Sequence, residues 1–397
     1  MYYFIVNPNS HSGRGRIIWD QLHQQLLLRG ISFQYCLTRY SGHATKIASE
    51  ASLLGIDSEP VYMIAIGGDG TIQEVLTGIT DFDRVVFGYI PTGSGNDFCR
   101  SMELPFDPME SLEYILKAER IAPIDVPYLI RGEKKSHFGI STGIGYDAGV
   151  CQEVLATPLK KVFNRLGLGK LIYLFIALKQ LIFISPGKMT VTLDGENTFS
   201  YDHVYFTAVM NQRYEGGGFK FCPDARPDDG QLDMILVEGV GKLKLLFCLP
   251  TAFFGKHTGI KGIHIMTCRD IHIHSENALP VHIDGESGGI RQDLTVSIEK
   301  KPLNYNFFGP LKNGMNNLGY ISRDAAAKQP NYKGIYIYFE ENRYILESRF
   351  FYWAKAFEQK YPQEFQVYYE DDGFICYRVV QNEAQLYNFA IDYGYNK

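Results

Sequence analysis

The apolar run Val61-Tyr62-Met63-Ile64-Ala65-Ile66 passes without a linker into Gly67-Gly68-Asp69-Gly70-Thr71, after which Thr71-Ile72-Gln73-Glu74-Val75-Leu76 takes up helical spacing. A buried strand, a glycine turn and a helix start in that order form half of a βαβ unit, which confines the chain to few folds. Glycine lets backbone N–H groups approach a ligand with no Cβ in the way, and the helix N-terminus adds partial positive charge. Asp69 would repel a phosphate directly, so its natural place is on a cation such as Mg²⁺ held against phosphate oxygens. A tight turn needing left-handed glycine accounts for the same letters, and the loop alone does not separate the two.

The surrounding chain repeats the rhythm. Strands are predicted at residues 3–7, 32–38, 61–66 and 85–90, and helices over 17–29, 44–54 and from Thr71. This predicts a nucleotide-binding α/β domain over residues 1–122, with a parallel sheet and helices on its faces. In such sheets ligands bind beyond the carboxyl ends of the strands. Glycine-rich loops fall there at Asn7 to Gly15, Gly67 to Thr71 and Pro91 to Asp97. The first offers serine hydroxyls, free amides and the guanidiniums of Arg14 and Arg16, which are phosphate-binding parts. An ordinary βα loop with surface arginines is its alternative. In the third, Asn96 and Asp97 are also able to cap the next helix.

From about Ile124 the segments shorten and alternate, as at 188–194, 203–210, 231–237 and 270–274, with another at Ser136 to Ile140. An antiparallel β-sandwich second domain over 123–310 follows, interrupted by a helical insert at about 158–184. Ala325 to Asn331 reads as a linker. The tail, 325–397, is expected to be a small α+β unit with strands near 334–339, 365–369 and 374–380 and helices near 350–361 and 383–392.

A chain of 397 residues is long enough for two or three domains. Its net charge of -5 argues against nucleic acid as a general partner. The seven cysteines stand singly with no CxxC pair, which suits reduced thiols in the cytoplasm. The start lacks the basic and long apolar regions of a signal peptide, and the longest apolar stretch is broken at Lys179 and Gln180. No membrane span is expected.

One later string carries chemistry. Val281-His282-Ile283-Asp284-Gly285-Glu286 delivers two carboxylates around a glycine turn, so that one can accept a proton while the other helps hold a metal. An Asp-Gly hairpin is the plain alternative. Together, the Asn7-Pro8-Asn9-Ser10 loop, Gly67-Gly68-Asp69-Gly70-Thr71 and Pro91-Thr92-Gly93-Ser94-Gly95-Asn96-Asp97-Phe98 resemble the diacylglycerol kinase catalytic family, which includes soluble bacterial diacylglycerol kinases and the sphingosine and ceramide kinases. Ser141-Thr142-Gly143-Ile144-Gly145-Tyr146-Asp147-Ala148, Asn211 with Gly216-Gly217-Gly218, and Asp228-Asp229-Gly230-Gln231-Leu232-Asp233 resemble its second-domain segments. The likeness runs to about Phe308 and leaves the tail uncovered.

The resemblance implies an NAD kinase or phosphofructokinase-like first domain and an ATP- and Mg²⁺-dependent lipid kinase. ATP would rest on Asn7, Pro8, Asn9, Ser10, Gly13, Arg14, Arg16 and Thr38, on Gly67, Gly68, Asp69, Gly70 and Thr71, and on Thr92, Gly93, Ser94, Asn96 and Asp97. Asp284 would be the general base, Glu286 would join Asp69 in the catalytic magnesium network, and Asp229 with the Gln231 carbonyl would hold a structural Mg²⁺. The implied reaction is transfer of the γ-phosphoryl group to a lipid hydroxyl, first diacylglycerol giving phosphatidic acid. Other acceptors are a sphingoid base or a polyprenol. A soluble-acceptor kinase of the NAD kinase type ranks next, then a non-catalytic nucleotide-gated lipid-binding protein.

Two departures from the family pattern stand out. His11-Ser12 intrudes after Asn-Pro-x-Ser, leaving the phosphate contact open among Ser12, Arg14 and Arg16, and Thr77 replaces a usual Asn. Basic-apolar stretches at Lys160 to Lys170, Lys242 to Phe247 and Ala252 to His257 fit peripheral contact with an anionic membrane, or core helices with lysines at their margins. A cytoplasmic, peripherally membrane-associated protein is therefore expected. For the tail, covering the catalytic domain ranks ahead of a homodimer contact or a regulator site.

Overall fold

The first sheet is built on β1 (Tyr2–Val6), β2 (Phe33–Leu37), β3 (Val61–Gly67) and β4 (Val85–Pro91), paired in parallel in the order β2-β1-β3-β4, with β3 and β4 buried on both faces and β2 a half-exposed edge. The helices between them are α1 (Ser10–Leu28), α2 (His43–Ser52) and α3 (Asp69–Gly78), followed by α4 (Asp97–Ser101) and α5 (Pro108–Lys117). Trp19, Leu22 and Leu26 of α1 and Leu112 and Ile115 of α5 pack on Phe4, Val6, Ile64 and Ile66, which gives one face of the sheet its core. The computed structural model describes residues 1–55, 59–117, 121–132, 134–157, 175–176, 179–181 and 184–306, and the strands 318–319, 335–340, 343–348, 365–369 and 375–379.

The chain then builds a second, antiparallel sheet. Its strands are β6 (Pro127–Arg131), β7 (Lys134–His137), β8 (Ser141–Gly145), β9 (Gly187–Leu193), β10 (Asn197–Met210), β11 (Leu232–Glu238), β12 (Ile263–Cys268), β13 (Ile271–Ile283) and β14 (Glu286–Ile298). Beside β11 and β14 respectively, strands β10 and β13 each split their other edge, pairing β9 with one half and β8 with the other. The sheet thereby folds over itself around Met189, Val191, Val209, Met234, Ile273, Val281 and Val296. Helices α6 (Tyr146–Ala156) and α7 (Lys242–Phe253) cover an outer face, where Tyr146, Val150, Phe206, Ile235 and Leu245 cluster.

A parallel α/β domain followed by an antiparallel β domain is the architecture the sequence predicts. The chain also returns. Between the two domains lies β5 (Ile121–Ile124), and after β14 comes β15 (Leu303–Asn306), which joins the first sheet parallel to β4 and antiparallel to β5. Tyr305 is buried there against Phe87 and Phe98. Residue 122, where the first domain was expected to close, lies inside β5. Residues 1–307 form one compact unit.

The strand expected at Ser136 to Ile140 stops at His137, because the amides of Gly139 and Ile140 turn toward the Asp284 carboxylate instead of a neighbouring strand. Helix α1 begins at Ser10 rather than Ile17, but His11, Ser12 and Gly13 stand at φ 47°, 59° and 94°, so the first loop is left-handed where the departure from the family pattern lies.

The second unit, Phe308–Lys397, contains a five-stranded sheet of β16 (Leu318–Gly319), β17 (Ile335–Glu340), β18 (Arg343–Ser348), β19 (Phe365–Tyr369) and β20 (Ile375–Val379), in the order β16-β17-β18-β20-β19. Three of these strands coincide with those predicted, and β16 and β18 were not predicted. The helices expected at 350–361 and 383–392, and most of the insert at 158–184, lie outside the described residues. Among the described residues no helix is long and apolar enough to cross a membrane.

Candidate active site

The three glycine loops meet at the carboxyl ends of β1, β3 and β4, and they meet backbone to backbone. A Cβ on Gly93 would lie 2.6 Å from the Gly68 Cα, and one on Gly67 would lie 2.2 Å from the Thr71 hydroxyl. Only glycine permits that approach. The first loop is tied in by side chains: Asn7 Nδ2 donates to Thr71 Oγ1 at 3.1 Å, and the Ser10 and Thr92 hydroxyls share a hydrogen bond of 2.7 Å. Thr38 joins the same edge, its N–H donating to Val6 O at 2.8 Å.

Asn96 and Asp97 have structural partners. Asn96 Oδ1 accepts from the Gly93 N–H at 3.0 Å and the Tyr89 hydroxyl at 3.1 Å, and its Nδ2 donates to Gly93 O. Asp97 accepts from Arg100 Nη1 at 2.9 Å and, across the domain boundary, from the Gly217 N–H at 2.7 Å. The helix cap at α4 comes instead from Asp69, whose carboxylate accepts the Asp97 and Phe98 N–H groups at 3.2 and 3.3 Å. Burial pushes the Asp69 carboxyl up to about 7, and the neighbouring Asp97 and Asp284 charges add to the rise.

From the second domain, Asp284 and Gly285 form a two-residue turn joining β13 to β14, with φ 47° and 80°. The hairpin and the functional reading thus coexist at one position. The Asp284 carboxylate is held by three backbone amides: Gly139 N–H to Oδ2 at 2.7 Å, and Ile140 and Ser141 N–H to Oδ1 at 2.8 and 2.9 Å. Burial lifts its pKa to about 6 against the pull of those donors. Glu286, exposed at the start of β14, reaches the first domain, where a Cβ on Gly70 would lie 3.2 Å from its Oε1. Asp284 and Glu286 thus approach the first domain from the second, with the Asp284 charge felt at Asp69 and Glu286 against Gly70, while the tight three-residue cluster of potential metal ligands among the described residues is Asp147, Glu215 and His282. Carboxylate oxygens are the hard donors that a divalent cation takes.

Behind the turn lies a buried triad that sequence reading did not assign. His282 Nε2 stands 3.0 Å from Asp147 Oδ2 and 3.2 Å from Glu215 Oε1, and Asp147 Oδ1 and Glu215 Oε2 have no hydrogen-bond partner. Gly143 must be glycine, since a Cβ there would fall 2.3 Å from Asp147 Oδ2 and 2.6 Å from His282 Nε2. The Gly285 N–H lies 3.3 Å from His282 Nδ1, and Nε2 faces the two carboxylates. The visible signal was Asp147 in the glycine-rich segment and His282 two residues before Asp284; the Glu215 contact spans strands and left no local trace.

The remaining expected residues separate in space. Arg16 is exposed and paired with Asp20 at 3.1 Å, and Pro8, Asn9, Gly13, Arg14 and Ser94 lie on the same loop rims. Asp229 is exposed, accepting from the Gln231 N–H at 3.0 Å, and the structure adds Asp125, which accepts from the Gly230 N–H at 2.7 Å. Burial raises the Asp125 carboxyl to about 6, and the Asp229 and Asp228 charges add to it. This carboxylate group sits apart from the loop site. Thr77 binds the His137 backbone, accepting its N–H at 3.1 Å, which fastens α3 to the second domain. His43 begins α2, and Glu74 caps that helix by accepting from the Gly42 and Ala44 N–H groups.

Known proteins resemble this chain in sequence and fold. A family model described as the diacylglycerol kinase catalytic domain matches residues 1–128, and one described as a YegS C-terminal NAD kinase beta sandwich-like domain matches 141–303. YtlR of Bacillus subtilis, named as a lipid kinase, is 30% identical over 295 residues, covering 72% of this chain and 94% of that protein. A diacylglycerol kinase of the same organism is 26% identical over 292 residues, covering 72% of this chain and 89% of its own length. A crystal structure of a diacylglycerol kinase from Bacillus anthracis matches at a TM-score of 0.55 and 23% identity, over 77% of this chain and 96% of that one, which supports the fold. Neither family model reaches the second unit. The loops, the two-domain order and these matches agree: the chain belongs to the diacylglycerol kinase catalytic family and is a lipid kinase.

Proposed function

We propose that the protein transfers the γ-phosphoryl group of ATP, with Mg²⁺, to the hydroxyl of diacylglycerol at a membrane surface, giving phosphatidic acid. The observation that carries this reading is the meeting of Glu286 with Gly70, which brings the Asp284-Gly285 turn of the second domain to the N-terminus of α3, where Asp69 lies. The triphosphate rests on the amides of the Gly67 and Pro91 loops and on the Asn7 loop, where backbone N–H groups face it without side chains. Asp69 and Glu286 would hold the magnesium, which supplies charge neutralisation on the phosphates. Asp284 takes the proton of the acceptor hydroxyl as its oxygen bonds to the γ-phosphorus and ADP leaves. The amides of Gly139, Ile140 and Ser141 keep its carboxylate in one orientation.

Asp125, Asp228 and Asp229 with the Gln231 carbonyl would form a second, structural magnesium site. Diacylglycerol ranks ahead of sphingoid bases and polyprenols on the strength of the relatives' names. The test is transfer from labelled ATP to a panel of diacylglycerol, sphingosine, undecaprenol and NAD, with and without Mg²⁺. Label on diacylglycerol alone, lost on chelation, is expected. Transfer to NAD alone would overturn the lipid reading.

A further inference from the structure

Helix α7 is apolar on two opposite sides, and among the described residues one of them packs into the core while the other is exposed. Leu245, Cys248 and Ala252 are buried toward the core. On the other side Leu243 and Phe247 are each 70% exposed and Phe254, just past the helix end, is 73% exposed. At about 100° per residue these three fall within roughly 40° of one another. They form one stripe, with Lys242 and Lys244 on its flanks and Lys256 beyond its end. Between Glu238 and Asp270 the chain has no carboxylate side chain but carries Lys242, Lys244, Lys256, Lys261 and Arg269, in a protein whose net charge is -5.

The stripe also has a defined place relative to the site. Phe253 packs on Phe219 with ring centroids 3.9 Å apart, and the Lys220 N–H donates to Ala252 O at 2.9 Å. That same loop sends the Gly217 N–H to Asp97. The end of α7 is thus fixed one loop away from the glycine-rich site.

We propose that this face of α7 is the surface by which the enzyme docks on an anionic lipid bilayer, with Leu243, Phe247 and Phe254 entering the interface and the lysines meeting the headgroups. A cationic rim around exposed aromatic and aliphatic side chains is complementary to that surface. The proposal rests on the membrane-surface lipid-kinase reading for its purpose, but its test does not require turnover.

The experiment is sedimentation of the full chain with vesicles of phosphatidylcholine containing about one-third phosphatidylglycerol, without ATP or acceptor, for the wild type, Phe247→Ser/Phe254→Ser and Lys242→Ser/Lys244→Ser. Phe253 is left intact because its ring packs on Phe219. Both variants should keep the wild-type far-UV spectrum and melting temperature. The lysine pair should lose about fivefold in partitioning per lysine, and pure phosphatidylcholine should reproduce that loss. The phenylalanine pair should lose at least tenfold and retain transfer to a short-chain, monomerically dispersed diacylglycerol. Wild-type partitioning in either variant overturns the proposal, as does a wild type that ignores vesicles. A dimer that the phenylalanine pair converts to monomer assigns the face to a second copy and equally overturns it. Intact partitioning with no phosphorylation of diacylglycerol overturns the substrate reading and leaves the docking surface standing.

Discussion

Replacing His282 by alanine should cost the protein about 3–5 kcal/mol, the usual penalty for removing one partner of a buried charge group. The imidazole is fully buried, and its Nε2 alone faces Asp147 at 3.0 Å and Glu215 at 3.2 Å. Without it two carboxylates oppose each other in a dry space, with Asp147 Oδ1 and Glu215 Oε2 already lacking partners. Against a total stability of about 5–15 kcal/mol this is a large share. With a urea slope of about 3 kcal/mol per molar, the unfolding midpoint should fall by about 1 M or more. Far-UV circular dichroism during urea unfolding reads it directly. His282→Gln, which restores an N–H donor toward one carboxylate, should recover part of the loss. A midpoint shift under about 0.3 M, equivalent to less than about 1 kcal/mol, would refute the triad as a buried charge group. Metal bound stoichiometrically by the purified chain and lost in His282→Ala would instead make the three side chains ligands.

Gly93→Ala places a methyl 2.6 Å from the Gly68 Cα and 2.7 Å from Asn96 Oδ1; the two loops must part, and an overpacking cost of about 1–3 kcal/mol with a rise in the KM for ATP is expected in steady-state assays. Asp284→Asn should lower kcat by about 10²–10⁴, as removal of a general base does. It should also destabilise by about 1–3 kcal/mol, because with Oδ1 retained toward Ile140 and Ser141 the new NH₂ group faces the Gly139 N–H; near wild-type turnover would sink the assignment. Stability should fall as pH rises above neutrality. Burial lifts the Glu215 carboxyl to about 7, while the Glu215 and Asp147 carboxylates outweigh the opposing effect of burial on His282 and lift it to about 9. In both groups the folded state binds a proton the unfolded chain releases earlier, so the stabilisation is present below the unfolded pKa and lost as pH rises to about 7 for Glu215 and on to about 9 for His282. Melting temperatures of wild type and Glu215→Gln across that range check it, and the variant should show the shallower slope.

The parallel first domain was legible because every part of it is local. Apolar runs such as Val61 to Ile66 are strands buried on both faces, and the glycines that end them need space that only the absence of a Cβ provides. The left-handed backbone at His11 to Gly13 was marked in the sequence only as a departure from the family pattern. The mistaken strand at Ser136 to Ile140 had the right alternation, but a carboxylate from β13 claims its amides. Asn96 and Asp97 were read for their polarity, and only their partners, Tyr89, Gly93, Arg100 and Gly217, show how they brace the loop and the domain boundary.

The sequence by itself determined the alternation of strands and helices from β1 to β4, the three glycine loops and the pair of carboxylates around Gly285, since periodicity and backbone freedom act over a few residues. The tertiary structure alone decided that the chain returns as β15 to the first sheet, that Glu286 meets Gly70, and that His282, Asp147 and Glu215 share one buried space. Those contacts join residues far apart in the chain, and burial and charge act across the space between them rather than along the backbone.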